Sequence, residues 1–229
     1  MIADVPAATT VLTLVFLAWS AGTVVGTAAT RMGSEVGAGH FKVMWLVGAG
    51  LSLAAGFGYR PAWVLSALAL ASFGALYRDA DRVLGLGTGA AAVVQLAFGS
   101  DLRPYAFAAA ALMGAVTNAM LLGHWHLNQP RLGTRPISRL IVALWAGLAL
   151  YVGAAALLTA LALSGGSGVR LIAGMTALAF TLFAVVLTAM VHHLVRTRSI
   201  MSATGILYLE ILLCFVAVFT GSVAALTPA

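Results

Sequence analysis

Four of the five histidines in this 229-residue chain stand in two short segments, GHWHLNQPR at 123–131 and VHHLVRTR at 191–198, each closing a long apolar run. Imidazole ligates metals and shuttles protons near neutral pH, so a pair of such clusters invites a cofactor. A haem b needs two neutral imidazoles from different helices, one on each side of the porphyrin, with basic residues near the membrane surface to meet its propionates. His124 or His126 supplies one side in that reading and His192 or His193 the other, with His124 and His192 standing for the two contacts to iron. Arg131, Arg196 and Arg198 are the basic residues at the edge. Thr188 precedes His192 by one turn, shares its helix face, and would orient a ligand or a propionate.

A second chemistry draws on SIMSATGILYLEILL at 199–213, which holds Tyr208 and Glu210. A quinone site needs a hydrogen-bond donor near each carbonyl and a route for protons, and histidine, Tyr208 and Glu210 supply both. Counted from the start of that run, Glu210 lies about 15 Å along a helix, well inside the hydrocarbon. An ionisable residue at such depth is costly unless it is neutral, paired or turned to a polar cavity, and it therefore marks a functional site by default. The same carboxyl would serve as the titrating group of a proton-coupled transporter. A zinc hydrolase assembled from three histidines and Glu210 lacks the HExxH spacing that such sites use.

Each of these residues also has a plainer reading. Histidines at the ends of membrane spans sit hydrated among headgroups, and residues one or two apart on a helix face different ways, so at most one of each pair points inward. Glu210 in its neutral form can simply bond a neighbouring helix. Gathered on one side of a helical bundle, the polar groups nevertheless point to a site.

The elements that must position them are membrane helices. Hydrophobic residues make up 62% of the chain and charged residues 8%, against about 25% charged in soluble domains. The formal charge of +6 does not indicate nucleic acid, because the lysines and arginines lie in short connections, where they set topology and meet lipid headgroups. The single cysteine, Cys214, lies in an apolar run and rules out an intrachain disulfide or a CxxC metal site. No basic residue precedes the first apolar run, so that run reads as a retained helix rather than a secretory signal.

Eight apolar runs, near 9–30, 43–58, 62–77, 83–100, 104–124, 138–163, 170–195 and 202–226, predict an all-α, polytopic protein of eight transmembrane helices. The second, third and fourth are short, and a count of seven, with one of them interfacial or re-entrant, satisfies the same pattern. With eight spans, Arg31, Lys42, Arg78, Arg82, Arg131, Arg135, Arg139, Arg196 and Arg198 fall on one side and Arg60, Arg103 and Arg170 on the other. That imbalance predicts a multi-pass protein of the cell membrane (plasma or bacterial inner) with both termini outside and all five histidines at or near the cytoplasmic face. Trp45, Trp63 and Trp145 fall near helix ends, as an aromatic belt requires.

The chain reads as a single transmembrane domain over 1–229, with an internal repeat of 1–102 and 103–229 suggested by GTVVGTAAT at 22–30 and GAVTNAMLL at 114–122. Both segments close the first span of a four-span unit, and four spans return the chain to its starting side. GLGTG at 85–89 lacks the strand that a dinucleotide fingerprint must follow, and reads with Gly22 and Gly26 as helix packing. Glu210 is the only acidic residue inside an expected span. The combined expectation is a subunit of a membrane redox complex, exchanging electrons through haem or quinone at a cytoplasmic-side site built from spans five, seven and eight. A Glu210-dependent transporter and a structural subunit that only packs against partners in a larger complex are the alternatives.

Overall fold

The computed structural model describes residues 6–33, 36–76, 80–98, 102–129, 132–165 and 167–228. They form α1 (Ala8–Gly33), α2 (Ala38–Gly56), α3 (Ala62–Ala75), α4 (Asp81–Phe98), α5 (Arg103–Asn128), α6 (Arg135–Leu163), α7 (Gly168–Arg196) and α8 (Ile200–Leu226). Six of these, all but α3 and α4, are long and apolar enough to cross a membrane. The protein is thus an all-α, multi-pass membrane protein. α3, at 14 residues, is short for a span, and α4 begins on Asp81. Arg131, expected at the edge of the site, lies outside the described residues, as does Arg78.

Local chemistry sets the helix ends. Pro104 and Pro136 occupy the first turns of α5 and α6, where a missing N–H leaves nothing unpaired. Ser167 caps α7 by accepting from the Arg170 amide at 3.3 Å. Three residues join α7 to α8, and within them Arg198 takes φ +60°, the left-handed conformation that glycine usually supplies at a helix end.

Within each run of four, consecutive helices pack in order and the fourth returns to the first, so α1–α4 and α5–α8 share one packing order. α1 and α5 pack along each other and join the two sets. Their crossing is close because Gly22 meets the backbone of α5 around Ala110 and Gly114, while Gly26 faces the Asn118 amide. Small residues permit this approach, which in lipid is driven by packing and hydrogen bonds rather than by expulsion of water. Asn118 Nδ2 donates to Gly114 O at 2.8 Å and Thr23 O at 3.3 Å, and Trp19 Nε1 donates to Thr117 Oγ1 at 2.8 Å.

Trp45 departs from expectation. Rather than lying in an aromatic belt it is fully buried inside the first four helices, where Gly85 of α4 leaves room for its ring. GLGTG accordingly lies within a helix, with Gly85 and Gly89 serving packing. Trp63 is exposed and Trp145 half-buried, as residues near a membrane surface would be.

Candidate functional site

The end of the bundle where α5 finishes and α8 begins carries the histidines; it is called the histidine end below, and the opposite one the far end. At the histidine end α5 and α8 approach closely because Gly123 has no side chain, and a Cβ there would lie 2.7 Å from Thr204 Oγ1. That contact fixes what its neighbours do. His124 follows Gly123, Tyr208 stands one turn beyond Thr204, and the two side chains meet on the outer surface of the bundle. Tyr208 Oη and His124 Nδ1 lie 3.1 Å apart, with the rings edge to face at 86°. Both are exposed, Tyr208 by 44%.

Glu210 is two residues further along α8, which turns it about 200° away from Tyr208 and into the bundle. Its side chain is fully buried, Thr188 Oγ1 donates to its Oε1, and Oε2 has no protein partner. Thr188 therefore serves the carboxylate rather than a ligand of His192. On α7 that is a consequence of register, since Thr188 belongs to the buried face running through Thr181, Ala184, Val191 and Val195, and His192 stands beside that face, half-exposed.

The expected single site is not assembled. His192 and His193 line an open cavity of about 390 Å³ on the α6–α7 side with Trp145, Ala189 and Arg196. His126 is buried elsewhere, with Nδ1 at 3.1 Å from Leu122 O and Nε2 at 3.1 Å from Gly133 O, beside a cavity of about 420 Å³ that Arg198 also lines. Helices α5 and α7 each pack on α6 and on α8, so they stand across the diagonal of the second set. His124 and His192 consequently face different surfaces. The residues thought to converge fall into four places: His124 with Tyr208, Glu210 with Thr188, His192 with His193 and Arg196, and His126 near Arg198.

Several polar groups escaped the sequence pattern. Arg31 and Asp81 form a buried two-point ion pair, Nε–Oδ2 2.7 Å and Nη2–Oδ1 3.2 Å, tying α1 to α4 at the histidine end. Asp81, two residues ahead of the apolar run at 83–100, starts α4 and is fully buried. His40 is buried against Phe41 and Trp125, and its Nε2 has no protein partner. Toward the far end, Tyr105, Tyr151 and Ser222 share hydrogen bonds of 3.0 Å inside the second set. A tyrosine inside an apolar run looks like ordinary core in a sequence, and only the shared approach of these two to α8 distinguishes them. Among the described residues, no three of His, Cys, Asp and Glu group as a metal would require, which leaves the zinc-hydrolase reading without a ligand set.

Comparison with known proteins adds no further constraint. No family model, curated protein or solved structure matches the chain.

Chemically, the Tyr208–His124 pair is open to a ligand from the outer surface of the bundle. If the Tyr208 hydroxyl donates to Nδ1, the His124 proton resides on Nε2 and is available as a donor. A Tyr–His pair on a lipid-facing surface can thus bind a carbonyl and pass it a proton, with the tyrosine proton moving to Nδ1 as Nε2 loses its own.

Proposed function

We propose that this membrane-embedded helical protein works as a subunit of a larger redox complex and takes part in quinone-linked electron transfer at the lipid-facing Tyr208–His124 pair. The 3.1 Å contact between Tyr208 Oη and His124 Nδ1 carries the reading, because it orients the one imidazole that both faces the membrane and has a proton partner within the bundle. A quinone bound there would accept electrons from a partner subunit. His124 would hold one carbonyl oxygen through Nε2–H, and Tyr208 would fix the tautomer and replace the proton.

Haem b fits less well. The two-imidazole arrangement would need His124 and His192 to face each other, and they stand on helices across a diagonal with their rings at separate surfaces. Transport through Glu210 is the second reading, favoured by a fully buried carboxyl with one oxygen unpartnered.

The topology that goes with this function has eight spans, α3 and α4 forming a short hairpin, and both termini outside the cell membrane. Six spans or eight leave the termini on a common side, since α3 and α4 enter and leave together. The basic residues between helices support placing the histidine end in the cytoplasm. Residues 1–102 and 103–229 read as two related halves: their packing order is the same, and Gly22 and Gly26 of the first lie against Gly114 and Asn118 of the second at equal spacing. With only short connections between the helices to meet soluble donors, the partners are other membrane subunits and the bilayer.

The test is extraction in mild detergent followed by absorption spectroscopy and quantitation of bound quinone. Quinone should co-purify with the native protein and be lost in His124→Ala and Tyr208→Phe while Glu210→Gln retains it. A Soret band abolished by His124→Ala or His192→Ala would instead establish haem. Uptake driven by a pH gradient and lost in Glu210→Gln would establish transport, and co-purification with redox subunits undisturbed by removal of every histidine would leave a purely structural role.

A further inference from the structure

We infer that the second four helices contain a proton half-channel, entered from the far end beside Tyr105 and Ser222 and ending at Glu210. The starting observation is a hydrogen-bonded cluster of three hydroxyls inside the helix set, followed along the same face of α8 by a thiol and a carboxyl. Ser222 Oγ lies 3.0 Å from Tyr105 Oη, and Tyr105 Oη lies 3.0 Å from Tyr151 Oη. On α8, Cys214 then stands one turn from Glu210 and one turn from the Ala217–Val218 carbonyls on which the tyrosines rest. Glu210 closes the series with Thr188. All of these side chains are buried, and they come from α5, α6, α7 and α8 onto one face of α8.

Three features separate this from ordinary helix stapling. First, each hydroxyl has a choice of acceptors: Tyr105 can donate to Val218 O at 2.7 Å or to Tyr151 or Ser222, Tyr151 to Ala217 O at 2.8 Å or to Tyr105, and Ser222 to Val218 O at 2.8 Å or to Tyr105. Rotation about a C–O bond therefore reverses the direction of the chain without moving a heavy atom. Second, the chain leads to a carboxyl whose Oε2 has no partner, and a group that only stapled helices would leave no buried acceptor open at that cost. Third, the buried faces of α7 and α8 between Glu210 and the histidine end offer no relay: Leu207, Ala203, Val191 and Val195 have no exchangeable side-chain proton, and the buried Thr204 donates to its own helix at Ile200 O.

A proton taken up at the Ser222–Tyr105 end displaces one onward through Tyr151 and the Cys214 thiol to the Glu210 carboxylate. Each hydroxyl and the thiol finish with the proton count they began with, and the carboxyl alone changes state. Tyr208, on the opposite face of α8, and its partner His124 of α5 take no part.

The half-channel is tested by following hydrogen–deuterium exchange of the Glu210 carboxyl by infrared spectroscopy of the full-length protein, its C=O band identified by loss in Glu210→Gln. Tyr151→Phe and Cys214→Ala should each slow exchange by roughly tenfold to a hundredfold, the scale on which a positioned proton carrier acts. Cys214→Ser, which restores an exchangeable proton, should exchange at the native rate. Tyr208→Phe and His124→Ala should leave the rate unchanged even where they abolish quinone binding, so the two readings fail separately. Should Tyr151→Phe not fold, Tyr105→Phe breaks the neighbouring link and carries the same expectation. Native-rate exchange in the Phe and Ala variants, or a Glu210 band that does not exchange in the native protein, overturns the half-channel.

Discussion

Gly22 of α1 and Gly114 of α5 meet backbone to backbone, so that a methyl group on either one would run into the main chain of the other helix. This crossing is the main contact between the two sets of four helices, α1 belonging to one and α5 to the other.

Replacing Gly22 or Gly114 by alanine should therefore destabilise the protein by at least about 1–3 kcal/mol, the usual cost of overpacking, since neither neighbour is a flexible side chain that can give way. Gly87→Ala, at a position with nothing within 4 Å of the added methyl, should leave stability unchanged or slightly raised. Thermal unfolding in detergent, followed by circular dichroism, separates the two outcomes.

The buried Arg31–Asp81 pair predicts strong coupling. Removing the Arg31 charge strands the Asp81 carboxylate in a low-dielectric interior and should cost about 3–5 kcal/mol, whereas replacing both residues with apolar ones should cost much less than the sum of the single changes. A double-mutant cycle on denaturation midpoints measures the difference, and additivity would contradict the buried geometry.

Thr188→Val should destabilise more than Glu210→Gln. Valine removes the hydroxyl that donates to Oε1 and leaves both carboxyl oxygens unpartnered, about 1–3 kcal/mol for an unsatisfied buried group, while glutamine keeps a carbonyl oxygen for Thr188 to bond. Equal midpoints for the two variants would count against the observed pairing.

Arg198→Gly should stabilise the protein by about 1 kcal/mol, because a non-glycine residue in the left-handed region pays about 1–2 kcal/mol that glycine does not, offset in part by the greater freedom glycine has when unfolded. The readout is an increased unfolding midpoint.

The helices were legible in the sequence because lipid imposes a simple rule: a long apolar run closed by charge, Pro or Gly becomes a helix. Expected runs at 104–124 and 202–226 correspond to Arg103–Asn128 and Ile200–Leu226, the differences falling in polar end turns that hydropathy does not register. The candidate site was legible only in part. Tyr208 and His124 were each singled out, but not their pairing, which depends on the close contact of Gly123 with Thr204 from a helix far away in the chain. Convergence of the imidazoles failed for a rotational reason: proximity to one end of a bundle fixes depth, while direction is fixed by which face of each helix packs, and His192 lies beside the buried face of α7. Asp81 shows a complementary effect: it lies outside the apolar run yet inside the bundle, because α4 starts two residues earlier than that run.

The brevity of α3 has a physical consequence for the surroundings of the protein. Its 14 residues rise about 21 Å, whereas a bilayer's oily layer is about 30 Å thick. In the eight-span topology proposed above, lipid along that flank is pinched to match, at a modest elastic penalty for each ångström of mismatch. Leu70 on α3 and Val93, Val94 and Phe98 on α4 face outward there. Any neighbour of similar stature that abuts this edge relieves the deformed leaflets, so hydrophobic thickness itself biases which flank of the molecule is sheltered in an assembly and which remains in free lipid.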